Sequence, residues 1–160
     1  MHPTKNNLSE QTRSHAVGLL NQALSDLIDL QLQSKQAHWN VKGPNFIALH
    51  ELFDRVAADA VEFSDNVAER IAALGGQAEG SINAVGKRTS LPAYPAEISN
   101  GRDHVDALST SMAVVGKSIR SAIGRAVELD DADTADLFTE ISRELDKKLW
   151  FVESHLQGNS

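Results

Sequence analysis

The chain has 160 residues, a formal net charge of −7, 41% hydrophobic and 23% charged residues, and no cysteine. That is one domain's worth of chain with enough apolar content for a real core, and without disulfides or thiolate metal sites. The acidic balance favours cation partners over whole-surface attraction to phosphate backbones; no apolar run approaches the ~18 residues of a bilayer span, and MHPTKNNLSEQ lacks the apolar stretch of a secretory signal, so a cytoplasmic location is expected.

Four long helical patterns follow in order. Residues 1–8 read as a flexible tail, and 9–157 as the folded domain. The first pattern runs from about Ser9, a plausible N-cap, to Asn40, with Ala16, Leu19, Leu20, Ala23, Leu24, Leu27 and Ile28 at helical spacing. Val41-Lys42-Gly43-Pro44 breaks it. The second spans about Asn45 to Leu74 and stops at Gly75-Gly76. The connection GGQAEGSINAVGKRTSLPAYPAEISN is long for a compact domain and leaves room for a short helical turn near Ser81–Val85. The third pattern begins near Asn100 and carries Val105, Leu108, Met112, Val115, Ile119 and Ile123. The fourth follows a turn around Leu129–Asp133 and carries Leu137, Phe138, Ile141, Leu145, Leu149, Val152 and Leu156. Short, long and short connections describe an all-α, ferritin-type four-helix bundle with one long crossover bearing a short helix.

The second helix has an unusual distribution of side chains. At about 100° per residue, Leu49, Phe53, Val56, Ala60, Phe63, Val67, Ile71 and Leu74 form a core stripe. Arg55, Asp59, Glu62, Asn66 and Arg70 form a wet face. His50, Asp54, Asp65 and Glu69 share a third face with Ile47, Ala58, Val61, Ala68 and Ala72. His50 and Asp65 lie about 22 Å apart along the axis, too far to share one ion. The four are mirror-spaced about Asp59–Ala60, so a second copy packed antiparallel sets His50 against Glu69 and Asp54 against Asp65. Two equivalent sites then arise about a dyad, as an isologous interface requires. His38, near the end of the first helix, adds a donor. The competing reading is two ordinary surface pairs at i,i+4.

Imidazole and carboxylate donors without sulfur suit ferrous iron, manganese or zinc, and their oxygens also hold ferric iron. Few donors per ion leave positions open for an oxidant. Trp39, beside His38, can pack the site or donate an electron; it serves equally as an interface anchor.

The stretches KQAHWNVKGPNFIALHELFD, DNVAERIAALGG, LPAYPAEISN and DTADLFTEISRELDKKLWFVE, with the long crossover, resemble the Dps family of ferritin-like DNA-protection proteins over about Ser9–Leu156. The resemblance implies a hollow dodecamer, ferroxidase sites shared across two-fold dimers, hydrogen peroxide as preferred oxidant of ferrous iron, and ferric oxide storage. Carried over by position, it implies His38, His50 and Asp54 as iron ligands from one subunit and Asp65 and Glu69 from the other. It also implies acidic pores, for which the carboxylate-rich turn offers Asp131 and Asp136; helix capping is the alternative for these residues.

Direct DNA binding is disfavoured. The N-terminal region offers Lys5 and Arg13, and Gln157-Gly158-Asn159-Ser160 carries no basic side chain. Lys87, Arg88, Lys147 and Lys148 read as solvated or paired. His2, His15, His104 and His155 read as surface or interface residues. Two other functions remain open: a nucleoid-condensing structural protein with incidental metal, and a scaffold bundle with no metal role.

Overall fold

A computed structural model describes residues 1–157; residues 158–160, part of the C-terminal tail weighed above, lie outside the described residues. The described residues form five helices: α1 (Glu10–Asn40), α2 (Phe46–Ala73), α3 (Ile82–Arg88), α4 (Gly101–Glu128) and α5 (Ala132–Glu153). Hairpin α1–α2 packs on hairpin α4–α5, and α3 lies on the crossover against α1. The described residues contain no named strand; a single parallel bridge joins Lys42 to Asn100. Leu20, Leu27, Phe53, Ile71, Met112, Ile119 and Phe138 fill the interior.

The helix ends follow from local chemistry. The Ser9 hydroxyl accepts from the Thr12 N–H at 3.0 Å, the Asn100 side chain accepts from the Asp103 N–H at 3.0 Å, and Asp131 accepts from the Thr134 N–H at 3.1 Å. After α2 the chain turns at Gly75, whose φ of +80° an L side chain rarely adopts. A Cβ there would sit 2.5 Å from the His2 carbonyl oxygen. The N-terminal segment packs here: the His2 N–H donates to Gly75 O, and Leu8 rests on the core.

The crossover is tied down by a buried carboxylate. Asp26, fully enclosed in α1, accepts from the Ser90 N–H (2.8 Å), the Ser90 hydroxyl (3.0 Å), Gln22 Nε2 (3.1 Å) and the Ser118 hydroxyl (3.3 Å). It joins α1, the crossover and α4 at one point.

Three sequence expectations need correction. His104 is buried, not superficial: it continues the Leu108–Met112 stripe of α4 and packs beside Phe53. The Tyr94 hydroxyl and the His104 Nδ1 share a hydrogen bond at 2.8 Å, while Nε2 finds no hydrogen-bond partner among the described residues. Burial, the largest influence, pushes this imidazole's pKa down. The wet face of α2 is half-buried along one edge, where Asp59 meets Lys148 at 2.6 Å and Arg70 meets Asp131 at 2.7 Å on α5. Arg13 is not a tail cation. Its guanidinium is buried and donates to the carbonyls of Leu74 (2.8 Å) and Leu8 (3.3 Å), covering the carbonyl end of α2.

Candidate metal centre

The break at residues 41–44 folds the end of α1 back onto the start of α2 and brings two histidines face to face. The His38 and His50 rings stack with centroids 3.7 Å apart and planes 22° from parallel. Their bonding is reciprocal. Nδ1 of His38 lies 2.7 Å from the His50 carbonyl oxygen, and Nδ1 of His50 lies 2.8 Å from the His38 carbonyl oxygen. A carbonyl can only accept, so each Nδ1 carries the proton and donates. In a neutral imidazole this leaves the Nε2 lone pair unprotonated, the state a metal ion requires.

Asp54 lies one turn beyond His50 on α2. Its carboxylate accepts from Lys35 Nζ at 2.6 Å. That hydrogen bond is the main reason its carboxyl lies below the usual carboxylate range, with the charge of Lys35 and the two imidazoles adding to it. The Lys35 ammonium also lies 5.7 Å from the ring centroid of Trp39, which is 66% exposed. Lys35 was not singled out from the sequence. Its positions three residues before His38 and four before Trp39 put it on their face of α1 and could have marked it.

Asp65 and Glu69 occupy the far end of α2, exposed and, among the described residues, without an ion-pair partner. Asp65 borders an open groove lined by Leu24, Ile28, Ala58, Val61 and Ala68. Within one chain the structure therefore brings His38, His50 and Asp54 into one neighbourhood and leaves Asp65 and Glu69 apart. Among the described residues, no three metal-capable side chains of one chain converge tightly enough to hold an ion. The surface carrying these groups is apolar for an exposed one: Ile47 is 62% exposed, Leu32 51% and Val61 48%.

At the acidic turn, the capping alternative describes Asp131. Its carboxylate is 1% exposed, caps α5 and pairs with Arg70. Asp136 is exposed on α5.

Residues 17–159 match the ferritin-like domain family. A DNA protection during starvation protein of Agrobacterium fabrum is 48% identical over 159 residues, covering 99% of this chain and 98% of the relative. The chain belongs to the Dps family of ferritin-like proteins. The solved Dps structures agree with that placement. Mycobacterium smegmatis Dps in its tetragonal form superposes with a TM-score of 0.92 at 36% identity, covering 98% of this chain and 95% of that one. Dps of Microbacterium arborescens in its high-iron form gives 0.87 at 35% identity, over 92% and 95%. Dps membership and the four-helix bundle are thus as the residues led us to expect. In this Dps chain no helix among the described residues is long and apolar enough to cross a membrane.

Proposed function

We propose that this protein is a ferroxidase and iron store that protects DNA by removing ferrous iron and peroxide together. Two chains pack antiparallel through the α2 face. His38, His50 and Asp54 of one chain and Asp65 and Glu69 of the other then surround the ferrous substrate. Such two-fold dimers assemble into a hollow dodecamer in the cytoplasm that holds ferric oxide. The reading rests above all on the paired imidazoles, whose Nδ1 atoms are engaged by each other's backbone carbonyls while Nε2 stays free. The high-iron form of the Microbacterium arborescens relative supports the choice of iron.

The chemistry follows from the donors. Imidazole nitrogen binds ferrous iron, while anionic oxygens favour the ferric product. Asp54 is ionised through neutral pH, so it supplies negative charge without first losing a proton. Two ferrous ions give one electron each to one hydrogen peroxide. The O–O bond breaks, protons are taken up and water leaves, so the one-electron product, hydroxyl radical, is not released. Trp39, exposed beside His38, packs the completed site and can supply an electron to a stray oxidant. Asp136 is available to guide iron inward; Asp131 is committed to Arg70.

The test is anaerobic ferrous iron mixed with peroxide and followed by ferric absorbance. The His50→Ala/Asp54→Ala variant is expected to slow the reaction at least a hundredfold with the helical circular dichroism unchanged. Equal rates in wild type and variant would remove the site from the reaction.

A further inference from the structure

One cleft of the molecule carries a charge opposite to that of the whole. It has a volume of about 280 Å³ and lies where the α1–α2 loop, the start of α4 and the end of α5 meet. Lys42, Arg102 and His155 line it together with Asn45 and Asn100, and among the described residues no carboxylate does. In a chain with net charge −7 this local excess of donors stands out. Neither Lys42 nor Arg102 forms an ion pair among the described residues, and both are exposed. The nearest acid in sequence, Asp103, is turned to the Asn100 amide and borders a different cavity beside Tyr94.

The cleft walls are fixed by backbone contacts. The Lys42 N–H donates to the Ser99 carbonyl at 2.8 Å, which holds the α1–α2 loop against the entry to α4. At Gly101 a Cβ would come within 2.5 Å of Leu49 Cδ1, so the glycine lets α4 start close to α2. Two cations are therefore carried on segments pinned to each other. They sit outside the proposed metal-binding set.

We propose that this cleft binds a phosphate group. A planar guanidinium and an ammonium, with the Asn45 amide and the His155 imidazole beside them, suit a compact tetrahedral oxyanion that accepts from several directions. The volume lies at the lower end for small-molecule sites, which favours a single phosphate over a bulky ligand. The group can arrive as free inorganic phosphate or as a phosphodiester protruding from duplex DNA.

The test uses the assembled full-length protein at low salt and the Lys42→Gln/Arg102→Gln variant. Both positions are exposed, so circular dichroism and ferrous oxidation should match wild type. Calorimetric titration with inorganic phosphate is expected to show saturable binding that weakens at least tenfold in the variant. Anisotropy of a labelled short duplex separates the two sources. DNA binding that phosphate competes away and the variant loses identifies the backbone. DNA binding that is absent, or that the variant leaves unchanged, assigns the cleft to the free ion. No saturable phosphate binding in wild type, or equal phosphate affinity in the variant, overturns the proposal.

Discussion

At Asp54 the cation now in place is the ammonium of Lys35, 2.6 Å away. A ferrous ion bound by Asp54 must displace or share that contact. The pair is partly exposed, 29% for the Lys35 side chain and 55% for that of Asp54, and open to screening, so its net strength is about 0.2–1 kcal/mol. Lys35→Met should therefore change thermal stability little and lower the ferrous half-saturation concentration by up to about fivefold; an unchanged half-saturation would show that Lys35 does not compete. His104 makes a second test at this scale. Its pKa is lowered in the folded chain by burial, so below its ordinary value of about 6.5 the unfolded chain binds more protons. Stability is retained above that pH and falls as pH drops from it toward the lower folded value. Between pH 7.5 and 5.5 the urea midpoint of wild type should fall further than that of His104→Gln, which carries no titrating group; equal falls would assign the acid sensitivity to other groups. The two histidine sites also show what a sequence can carry. His50 was singled out by its place in the mirror-spaced stripe of α2 and His38 by its position near the end of α1, both properties readable within single helices. Their crossed carbonyl bonds were not, because they depend on how closely α1 and α2 approach. His104 was read as superficial because it has no metal-capable partner at ligand spacing, a test that says nothing of its place in the Leu108–Met112 stripe.

Helices were the most legible level. Ser9 and Asn100 are side-chain acceptors before amphipathic runs, Gly75 ends α2, and each signal acts over a few residues. The links between helices were not legible, because pairing partners lie far apart in sequence. Arg70 and Asp131 are an example. Arg70 donates to Asp131 Oδ1 at 2.7 Å and to the Thr134 hydroxyl at 3.0 Å, while Asp131 caps α5. One cluster thus fixes the end of α2 to the beginning of α5, next to the turn of α2 that carries Glu69. Arg70→Ala leaves a buried carboxylate without its cation and should cost about 3–5 kcal/mol in denaturant unfolding. Asp131→Asn retains an acceptor for the Thr134 N–H and should cost less. No loss in Asp131→Asn would mean that the charge of Asp131 contributes nothing beyond the cap, and a loss equal to that of Arg70→Ala would mean that the unpaired carboxylate is not the main cost.

A single chain exposes Ile47, Leu32, Val61 and Trp39 on the side that carries half of each proposed site. The mirror spacing of His50, Asp54, Asp65 and Glu69 was readable because it is a property of one helix, whereas the outward direction of that face became definite only once α1 and α2 were packed. If two chains complete each other's site, ligand defects must complement between chains. One variant carries His50→Ala/Asp54→Ala, and the other carries Asp65→Ala/Glu69→Ala. Each alone should be nearly inactive, since every site in its dimers lacks one set. In a hybrid dimer both defects fall in one site, leaving the other intact. Unfolding the two variants together and refolding them at equal concentration makes about half the dimers hybrid, so recovery should approach about one quarter of wild-type ferrous oxidation. The unmixed variants refolded in parallel give the baseline. A site built within one chain gives no recovery on mixing, because each chain keeps its own defect. Recovery that requires co-refolding therefore locates the reaction between chains, independently of which oxidant is used.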